Sequence, residues 1–463
     1  MSDPSSSRAV VVGAGPIGCV LSVLLAKRGH EVTLFEKRKD LRRAEEDSGR
    51  SINLVLTRRG LRALELIGLR EEVLKLTVPV LGRMMHAVDG ELTYQPCGKD
   101  DSECNYAVPR GDLNAFLLQA AQDHGVDIRF GQSLKDLDVD TQTLTFQHVD
   151  TDVIQEVFAP LLFATDGAGS RVRRTLTQRP DFHATSELID YGYKEIEMPA
   201  GPDGDYTLAS HALHIWPRGE HMLMGLANRD ASFTGTLYLP YKGPHGFDTL
   251  DEDPQRVLSF FQSFYPDAID VISDVRQEYA NNPTGVLGTV RCDKWHLEDK
   301  ILLLGDAAHA IVPFFGQGLN CGMEDCVVLD GLLEEFGHDM ARVFSTFERV
   351  RKPNADAIAD MALENFVEMR DKVGDPRFIL KKQVERRIEQ AMPDLYRSRY
   401  ATVMYSHNPY RVAFDAGKIQ QGIFDTLLLG VERPEEVDLD RAADLIRRDL
   451  TPFYERHDVD LAF

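Results

Sequence analysis

Residues 8–18 read RAVVVGAGPIG, and their pattern indicates the fold of the first part of the chain. The apolar run at 8–12 is typical of a short buried strand, and leucines recur at helical spacing from Pro16 to Arg28. A second apolar run, EVTLFE, follows at 31–36. Strand, glycine-rich turn, helix and strand in this order predict a parallel βαβ unit.

The turn after the first strand has the spacing GxGxxG, with glycines at Gly13, Gly15 and Gly18. In a dinucleotide-binding unit the first glycine permits the tight turn, the second lets the backbone approach a pyrophosphate, and the third lets helix and strand pack closely. The free amides of the helix N-terminus attract the phosphates, and Glu36 is placed to accept hydrogen bonds from a ribose. A plain glycine-rich turn is the alternative. The combined pattern favours a dinucleotide site but does not distinguish NAD from FAD.

Composition excludes several classes of protein. The chain has 463 residues, 43% of them apolar, so it can bury a large core, and at about 150 residues per domain it forms two to three domains. A net charge of −22 argues against nucleic acid and anionic membrane surfaces as main partners. The six cysteines lack CxxC spacing, which favours a reducing compartment without a zinc module. Without a signal peptide or a long apolar segment, we expect a soluble, cytoplasmic protein with no membrane contact.

The secondary-structure pattern of the remaining chain changes twice. An amphipathic helix at 110–124 and strands near 126–130 and 143–149 continue the first domain. Several alternating runs between 185 and 240 predict an antiparallel sheet, and 345–396 is mainly helical. We therefore predict an α/β fold with three parts: a discontinuous Rossmann-type domain (1–75, 105–180 and 286–345), an antiparallel-sheet substrate domain (76–104 and 181–285) and a C-terminal mainly helical region (346–463).

Two later segments decide between the dinucleotides. DGAGSRVR at 166–173 and GDAAH at 305–309 each follow a buried strand, and such strand ends face the ligand crevice. Together with the GxGxxG turn, in this order and spacing, they resemble the single-component FAD-dependent aromatic hydroxylases, the class A flavoprotein monooxygenases. The resemblance implies FAD as cofactor and NADPH as reductant. It also implies that Asp166 contacts cofactor and pyridine nucleotide and that Asp306 holds the ribityl and pyrophosphate part of FAD.

Further segments are similar to the members of that family that hydroxylate kynurenine, and the similarity continues to about residue 412. They include GRSINL at 49–54, HIWPRG at 214–219, VPFFGQGLN at 312–320 and ENFVEMR at 364–370. The resemblance implies NADPH- and O2-dependent hydroxylation of L-kynurenine to 3-hydroxykynurenine through a flavin C4a-hydroperoxide. Because the aniline nitrogen activates the ring, we expect no acid or base from the protein, and we interpret His309 as structural. Eukaryotic relatives carry a C-terminal membrane anchor, so its absence predicts a bacterial-type enzyme.

The same resemblance implies a set of cofactor contacts. Arg110 matches the arginine that reaches the ribose and pyrophosphate region, and Arg50 is expected near the isoalloxazine or in the path of the reductant. A helix beginning near 316–319 would direct its amides at the flavin pyrimidine edge. A plain glycine-rich loop is the alternative there. The implied cofactor-binding residues are Gly13, Gly15, Gly18, Glu36, Arg50, Arg110, Asp166, Asp306, Gly316, Gly318, Leu319 and Asn320, and the implied pocket wall is Pro313, Phe314 and Phe315.

Substrate contacts also follow from the resemblance. Arg83 matches the arginine that holds the substrate carboxylate, with Asn365 and Tyr400 sharing this anchoring. The remaining implied contacts are Cys97, Glu368 and Met369, Phe314, and a floor of Leu213, Met222, Met224, Leu226 and Tyr238. Core packing explains many of these residues equally well.

Two positions depart from the family pattern. Cys97 stands where relatives have a tyrosine, and Tyr238 where they have a phenylalanine-like residue. The departures keep a substituted kynurenine or another aminoaryl acid open as the substrate. We also keep open a flavin reductase or dehydrogenase without oxygen insertion, and a flavin-binding module without turnover. NADPH against NADH and the oligomeric state, a homodimer included, stay open.

Overall fold

The computed structural model describes residues 8–43, 53–369 and 375–462. Within these ranges the strands are β1 (Arg8–Val12), β2 (Glu31–Phe35), β3 (Asn53–Leu56), β4 (Val78–Val80), β5 (Gly82–His86), β6 (Leu92–Pro96), β7 (Asn105–Pro109), β8 (Asp127–Arg129), β9 (Gln132–Asp138), β10 (Thr143–His148), β11 (Ile154–Phe158), β12 (Leu162–Ala164), β13 (Ala184–Met198), β14 (Ala212–Pro217), β15 (Met222–Ala227), β16 (Phe233–Pro240), β17 (Gly285–Cys292), β18 (His296–Leu297) and β19 (Ile301–Leu303).

The helices of the described residues are also numbered in chain order. They are α1 (Pro16–Lys27), α2 (Arg58–Leu66), α3 (Arg70–Leu74), α4 (Arg110–Asp123), α5 (Arg171–Leu176), α6 (Phe247–Leu250), α7 (Pro254–Phe264), α8 (Pro266–Ile269), α9 (Val275–Asn281), α10 (Asp306–His309), α11 (Gly318–Phe336), α12 (Met340–Val367), α13 (Pro376–Ala391), α14 (Arg399–Tyr405), α15 (Tyr410–Leu427), α16 (Leu439–Asp449) and α17 (Thr451–Arg456).

The chain divides into two compact units. The first consists of residues 1–77, 108–189 and 287–359, and the second of residues 78–107, 190–286 and 360–463. The C-terminal helices thus belong to the same unit as the antiparallel sheet, because buried contacts such as that between Glu103 and Arg397 join them to it. The functional roles assigned to the segments stay predictions.

The first unit contains the predicted βαβ fold. Its six-stranded sheet has the order β18-β19-β12-β1-β2-β8, and β19, β12, β1, β2 and β8 run parallel. The carboxyl ends of parallel strands meet at one edge of a sheet, where ligands of such folds bind. The topology therefore brings together the turns that follow β1, β2, β12 and β19.

The second unit contains the predicted sheet, in the order β17-β13-β16-β15-β14-β5-β6. The pairs β13–β16, β16–β15, β15–β14 and β5–β6 are antiparallel, as predicted, whereas β14 and β5 run parallel. One face is a core: Trp216, Leu223 and Leu237 are fully buried against side chains from α6–α9. These helices were not predicted, because short amphipathic helices between strands have weak periodicity.

A second apolar cluster of this unit lies among the C-terminal helices α13, α15, α16 and α17. In the part of the chain that the structure describes, no helix is long and apolar enough to span a membrane.

Candidate active site

The GxGxxG turn has the geometry that its glycines require. Gly13 has φ of +101°, and an added Cβ would lie 2.4 Å from the carbonyl oxygen of Thr165. At Gly18 an added Cβ would lie 2.0 Å from the Gly13 carbonyl oxygen. With any other residue at this position, helix α1 could not pack as closely on the turn as it does. Around Gly15, by contrast, no heavy atom of the described residues outside its own chain neighbourhood lies within 4 Å of an added Cβ. The turn thus leaves an open cradle at the N-terminus of α1, where backbone amides attract anions.

Glu36 lies beside this cradle. Its Oε2 accepts a hydrogen bond from the Ala14 amide at 2.9 Å, and its Oε1 accepts from the amide and Nε of Arg38, also at 2.9 Å. Burial alone would raise the pKa of Glu36, but the bonds from Arg38 and Ala14 outweigh it and lower that pKa. The carboxylate is therefore ionised and fixed next to the turn, as hydrogen bonding to a ribose requires.

Asp166 and Arg173 join two of the predicted motifs. Asp166 Oδ2 accepts from the Arg171 amide at 2.7 Å at the start of α5, and desolvation raises the pKa of this carboxyl. Arg173 is buried and donates to the carbonyl oxygens of Ala168 and, at 2.8 Å, of Ala307. Its guanidinium therefore couples the segment at 166–173 to the segment at 305–309. Arg173 belongs to the motif at 166–173, but this role was not predicted from the sequence.

Asp306 begins helix α10 with an exposed side chain. Desolvation by the surrounding protein raises the pKa of Asp306, while the charges of His309, Arg110 and Arg173 oppose that rise. Arg110 is exposed in the first turn of α4 and adds positive charge near this edge. The edge therefore combines carboxylates, which can accept hydrogen bonds from hydroxyl groups, with cations, which attract anions.

A buried charge cluster lies under the turn at Gly305. Asp325 Oδ2 accepts from the Gly305 amide at 2.9 Å and lies 2.6 Å from His309 Nε2, and Oδ1 accepts from Arg351 Nε at 2.9 Å. Arg351 also pairs with Glu324 at 2.5 Å, and Glu324 pairs with Arg59. Burial opposes the charge on His309, but Asp325 and Cys321 outweigh it and raise the pKa of His309 well above its ordinary value. The interpretation of His309 as structural agrees with these contacts, and the roles of Asp325 and Arg351 were missed.

The predicted helix start is confirmed at Gly318, where α11 begins after Gln317. Gly316 has φ of +64°. Asn320 is fully buried, and its Nδ2 donates to the carbonyl oxygens of Val55 and Gly316 at 2.8 and 2.9 Å. Its side chain therefore holds the turn, and only its backbone is left for the implied cofactor contact.

The three residues of the implied wall differ in exposure. Phe314 and Phe315 are buried, whereas Pro313 is exposed. Arg50 lies outside the described residues.

The second unit places the predicted floor residues on one face of its sheet. Arg83 is paired with Leu213, Ile215 with Met224, and Met222 with Tyr238. Paired side chains lie on the same face, and alternation along β15 adds Leu226 to that face. This is the face opposite to the core, so the shared orientation follows from the register. Burial raises the pKa of Tyr238, whose ring lies 6.3 Å from that of Tyr193.

Arg83, Tyr400 and Cys97 lie together. The Arg83 guanidinium carbon is 4.8 Å from the centre of the Tyr400 ring, and Tyr400 interacts with both Arg83 and Cys97. Asn105 Nδ2 donates to the Tyr400 hydroxyl at 3.4 Å. Asn105 was missed because its contact partner lies far away in the sequence. We call Arg83, Cys97, Asn105 and Tyr400 the anchor cluster.

The other implied substrate residues lie in the last turn of α12 and in the two residues that follow it. Asn365 Nδ2 is 3.5 Å from Met369 Sδ, and Glu368 lies 3.9 Å from Arg399. Glu368 is thus held near a cation rather than freely solvated. The roles of these residues in substrate binding stay predictions.

Comparisons with known proteins agree with this geometry. Residues 6–362 match the family model described as FAD binding domain. A kynurenine 3-monooxygenase of Myxococcus xanthus is 51% identical over 458 residues, covering 99% of this chain and 98% of that protein. The chain belongs to the kynurenine 3-monooxygenase family. It is accordingly an FAD-dependent aromatic monooxygenase, and the resemblance inferred from the motifs is confirmed.

More distant proteins share the family or the fold. A kynurenine 3-monooxygenase of Stenotrophomonas maltophilia is 39% identical, covering 92% of this chain and 94% of that protein. The structure of 2-methyl-3-hydroxypyridine-5-carboxylic acid oxygenase superposes with a TM-score of 0.64 at 21% identity, covering 80% of this chain and 95% of that one. PqsL of Pseudomonas aeruginosa, solved in complex with 2-aminobenzoylacetate, gives 0.63 at 18% identity, covering 79% and 97%. These two likenesses confirm the α/β hydroxylase fold.

Replacing Glu36 by alanine should weaken FAD binding without unfolding the protein. A hydrogen bond to a charged group contributes about 1.5–3 kcal/mol, so we expect the Kd for FAD to rise roughly tenfold to a hundredfold. Fluorescence titration of the apoprotein measures this. Glu31→Ala is the matched control, because Glu31 begins the strand that Glu36 follows and its side chain is 64% exposed. An unchanged Kd in Glu36→Ala would show that Glu36 only supports the turn.

Proposed function

We propose that the protein hydroxylates L-kynurenine at ring position 3, with FAD as cofactor and NADPH and O2 as co-substrates. One observation carries the substrate class. Arg83 is half-buried on the face of the sheet opposite to the core, and the side chains that act most strongly on its pKa are Tyr400, Cys97 and Tyr405, none of which is a carboxylate. A cation in this position favours an anionic ligand, and a bidentate carboxylate fits a guanidinium best. The assignment of kynurenine as the substrate is supported by the relatives named kynurenine 3-monooxygenase.

The residues of the first unit fit FAD. The space around Gly15 admits a pyrophosphate, and Asp166 Oδ1 is buried without a hydrogen-bond partner among the described residues. Glu36, Asp166 and Asp306 offer acceptors for hydroxyl groups, and Arg110 offers a cation. When bound, FAD supplies the redox chemistry, taking up reducing equivalents from a nicotinamide and activating O2.

The protein's own contribution is to bind, orient and exclude water. The anchor cluster holds the carboxylate end of the substrate, which leaves the aminoaryl ring to the apolar face carrying Met222 and Met224. The amides at the start of α11 favour negative charge nearby. The buried rings of Phe314 and Phe315 make their surroundings apolar, and this limits wasteful reaction with water. The aniline nitrogen activates the ring, so the proposal needs no general base from the chain.

A product assay tests this proposal. NADPH consumption is followed with L-kynurenine, with ring-substituted kynurenines and with other aminoaryl acids, and each product is analysed by mass spectrometry under isotopically labelled O2. We expect one labelled oxygen atom in 3-hydroxykynurenine. Faster turnover of a substituted kynurenine would assign that substrate instead. NADPH consumption without labelled product would contradict the proposal in favour of a flavin reductase.

Flavin reduction by NADPH should be faster when a kynurenine-like ligand is bound. The described residues contain one parallel sheet with a GxGxxG turn, so we expect NADPH to visit transiently rather than to occupy a second dinucleotide fold. Closure around an aromatic ligand would then complete the reductive geometry. Anaerobic stopped-flow absorbance, with and without L-kynurenine, measures the effect. Equal rates would rule out this coupling.

A further inference from the structure

A buried ion pair lies next to the anchor cluster in the second unit. Glu103, in the loop between β6 and β7, pairs with Arg397, just before α14, and their side chains are only 5% and 1% exposed. Arg397 also lies 3.6 Å from Glu389. Burial raises the pKa of Glu389, and the charge of Glu103 adds to that rise, whereas Arg397 opposes it. The pair is thus a desolvated arrangement of charges that needs good geometry to be tolerated.

Glu103 fixes the segment that carries Cys97. Its Oε2 accepts a hydrogen bond from the Lys99 amide at 2.9 Å. At Gly98 an added Cβ would lie 2.3 Å from the Glu103 Cβ, so the segment and the Glu103 side chain pack in direct contact. The Cys97 amide donates to the Leu81 carbonyl oxygen at 2.9 Å, which ties the same segment to the start of β5 and hence to Arg83.

Arg397 fixes the segment that carries Tyr400. Its carbonyl oxygen accepts from Gln420 Nε2 at 2.8 Å, on α15. Ser398, the next residue, caps α14 because its side chain accepts from the Ala401 amide at 3.2 Å, and its own amide donates to Glu389 Oε1 at 3.0 Å. Tyr400 therefore lies within one helical turn of Arg397 and Ser398, which are fixed by hydrogen bonds to α13, α14 and α15.

We propose that Glu103 and Arg397 are positioning residues that set the separation of the two sides of the anchor cluster. Glu103 holds the side with Cys97 and Arg83, Arg397 holds the side with Tyr400, and the ion pair joins them. The pair touches neither carboxylate nor ring of the substrate and acts through the residues that do. This inference rests on the proposed function, since it concerns the grip on a substrate carboxylate.

A purely structural role predicts a different outcome. Replacing both members of a buried ion pair with side chains of similar volume is often nearly neutral for stability. If the pair only stabilised the fold, its removal would then leave substrate binding unchanged. If it positions the anchor, binding of ligands with a carboxylate weakens although the fold persists.

The test is the double variant Glu103→Gln/Arg397→Met in the FAD-loaded enzyme. We expect the KM for L-kynurenine to rise about tenfold while kcat changes by less than about twofold, because the loss falls on binding. For the analogue in which the carboxylate of kynurenine is replaced by hydrogen, KM should be unchanged. FAD content and the melting temperature report whether the fold is intact. Tyr279→Phe, which removes the 2.8 Å bond to Asp251 within the same unit, is the control and should change neither KM.

The outcomes separate the inference from the proposed function. A stable double variant with an unaltered KM for L-kynurenine overturns the inference, provided that Arg83→Ala raises that KM. An equal rise for both ligands also overturns it. If Arg83→Ala has no effect either, the proposed anchor itself fails. Should the double variant not fold, Glu103→Asp keeps the charge and shortens the arm by one methylene, and it must raise the KM for L-kynurenine selectively for the inference to stand.

Discussion

Replacing Arg83 by alanine is expected to raise the Kd for L-kynurenine by roughly one to two orders of magnitude. A charge-assisted contact of this kind contributes about 1.5–3 kcal/mol. The decarboxylated analogue should bind wild type poorly and be nearly indifferent to the substitution, because it lacks the group that Arg83 pairs with. Equilibrium titration with both ligands measures the difference. Arg256→Ala, on α7 of the same unit with its side chain half exposed, is the control cation.

Substitution of Cys97 provides a second test of the anchor cluster. If the cysteine has only lost the family's phenolic hydroxyl, Cys97→Tyr should tighten L-kynurenine by about 0.5–1.5 kcal/mol, the net contribution of one hydrogen bond. If the smaller side chain makes room for a larger substrate, the same change overpacks the site and weakens the true substrate. The two results have opposite signs. An Arg83→Ala enzyme with unaltered affinity for kynurenine would refute the anchor and with it most of the substrate assignment.

Replacing Asp325 by asparagine is expected to cost about 3–5 kcal/mol of unfolding free energy, the usual loss when one member of a buried charge cluster is removed. His309 and Arg351 would then face each other without the carboxylate between them. The Gly305 amide would lose its charged acceptor, so FAD binding should weaken in parallel. Urea denaturation with FAD titration measures both effects.

The control for Asp325 lies on the same helix. Glu334, whose side chain is 79% exposed, pairs with Arg28 at 3.5 Å. Because exposed ion pairs contribute little, Glu334→Gln should cost only about 0–1 kcal/mol. A loss in Asp325→Asn no larger than this would show that the cluster does not hold the turn.

The pH dependence of stability follows from the same cluster. Asp325 has a lowered pKa, so its contribution is present above its unfolded value of about 3.9 and is lost as pH falls through the folded pKa. His309 has a raised pKa, so its contribution is complete below its unfolded value of about 6.5 and is lost as pH rises through the folded pKa. The stability difference between wild type and His309→Gln should therefore be largest in acid and shrink at alkaline pH. A difference independent of pH would contradict a protonated His309.

The motifs were predictable because they are local. Glycine spacing, the following helix and the acidic residue directly after β2 all lie within one βαβ unit. At Gly13 and Gly18 the backbone is packed too closely for a side chain, as the unit requires. The segments at Asp166 and Asp306 each follow a strand of the parallel sheet. They lie at the same edge, because the carboxyl ends of parallel strands all lie at one edge of a sheet. The floor residues of β15 were identified through resemblance and alternation, and the register supports their common orientation.

The cofactor fold, the family and the residue types that offer hydrogen bonds to FAD therefore follow from local sequence patterns. Which charged side chains pair with one another depends on the folded chain. Asp325 reaches His309 and Arg351, and Glu103 reaches Arg397 across nearly 300 positions. Such pairs have no sequence period, because a buried charge finds its partner wherever the packed chain brings one within hydrogen-bonding distance. The anchor cluster has the same origin: its cation comes from a strand, its tyrosine from a distant helix, and only the fold places them 4.8 Å apart.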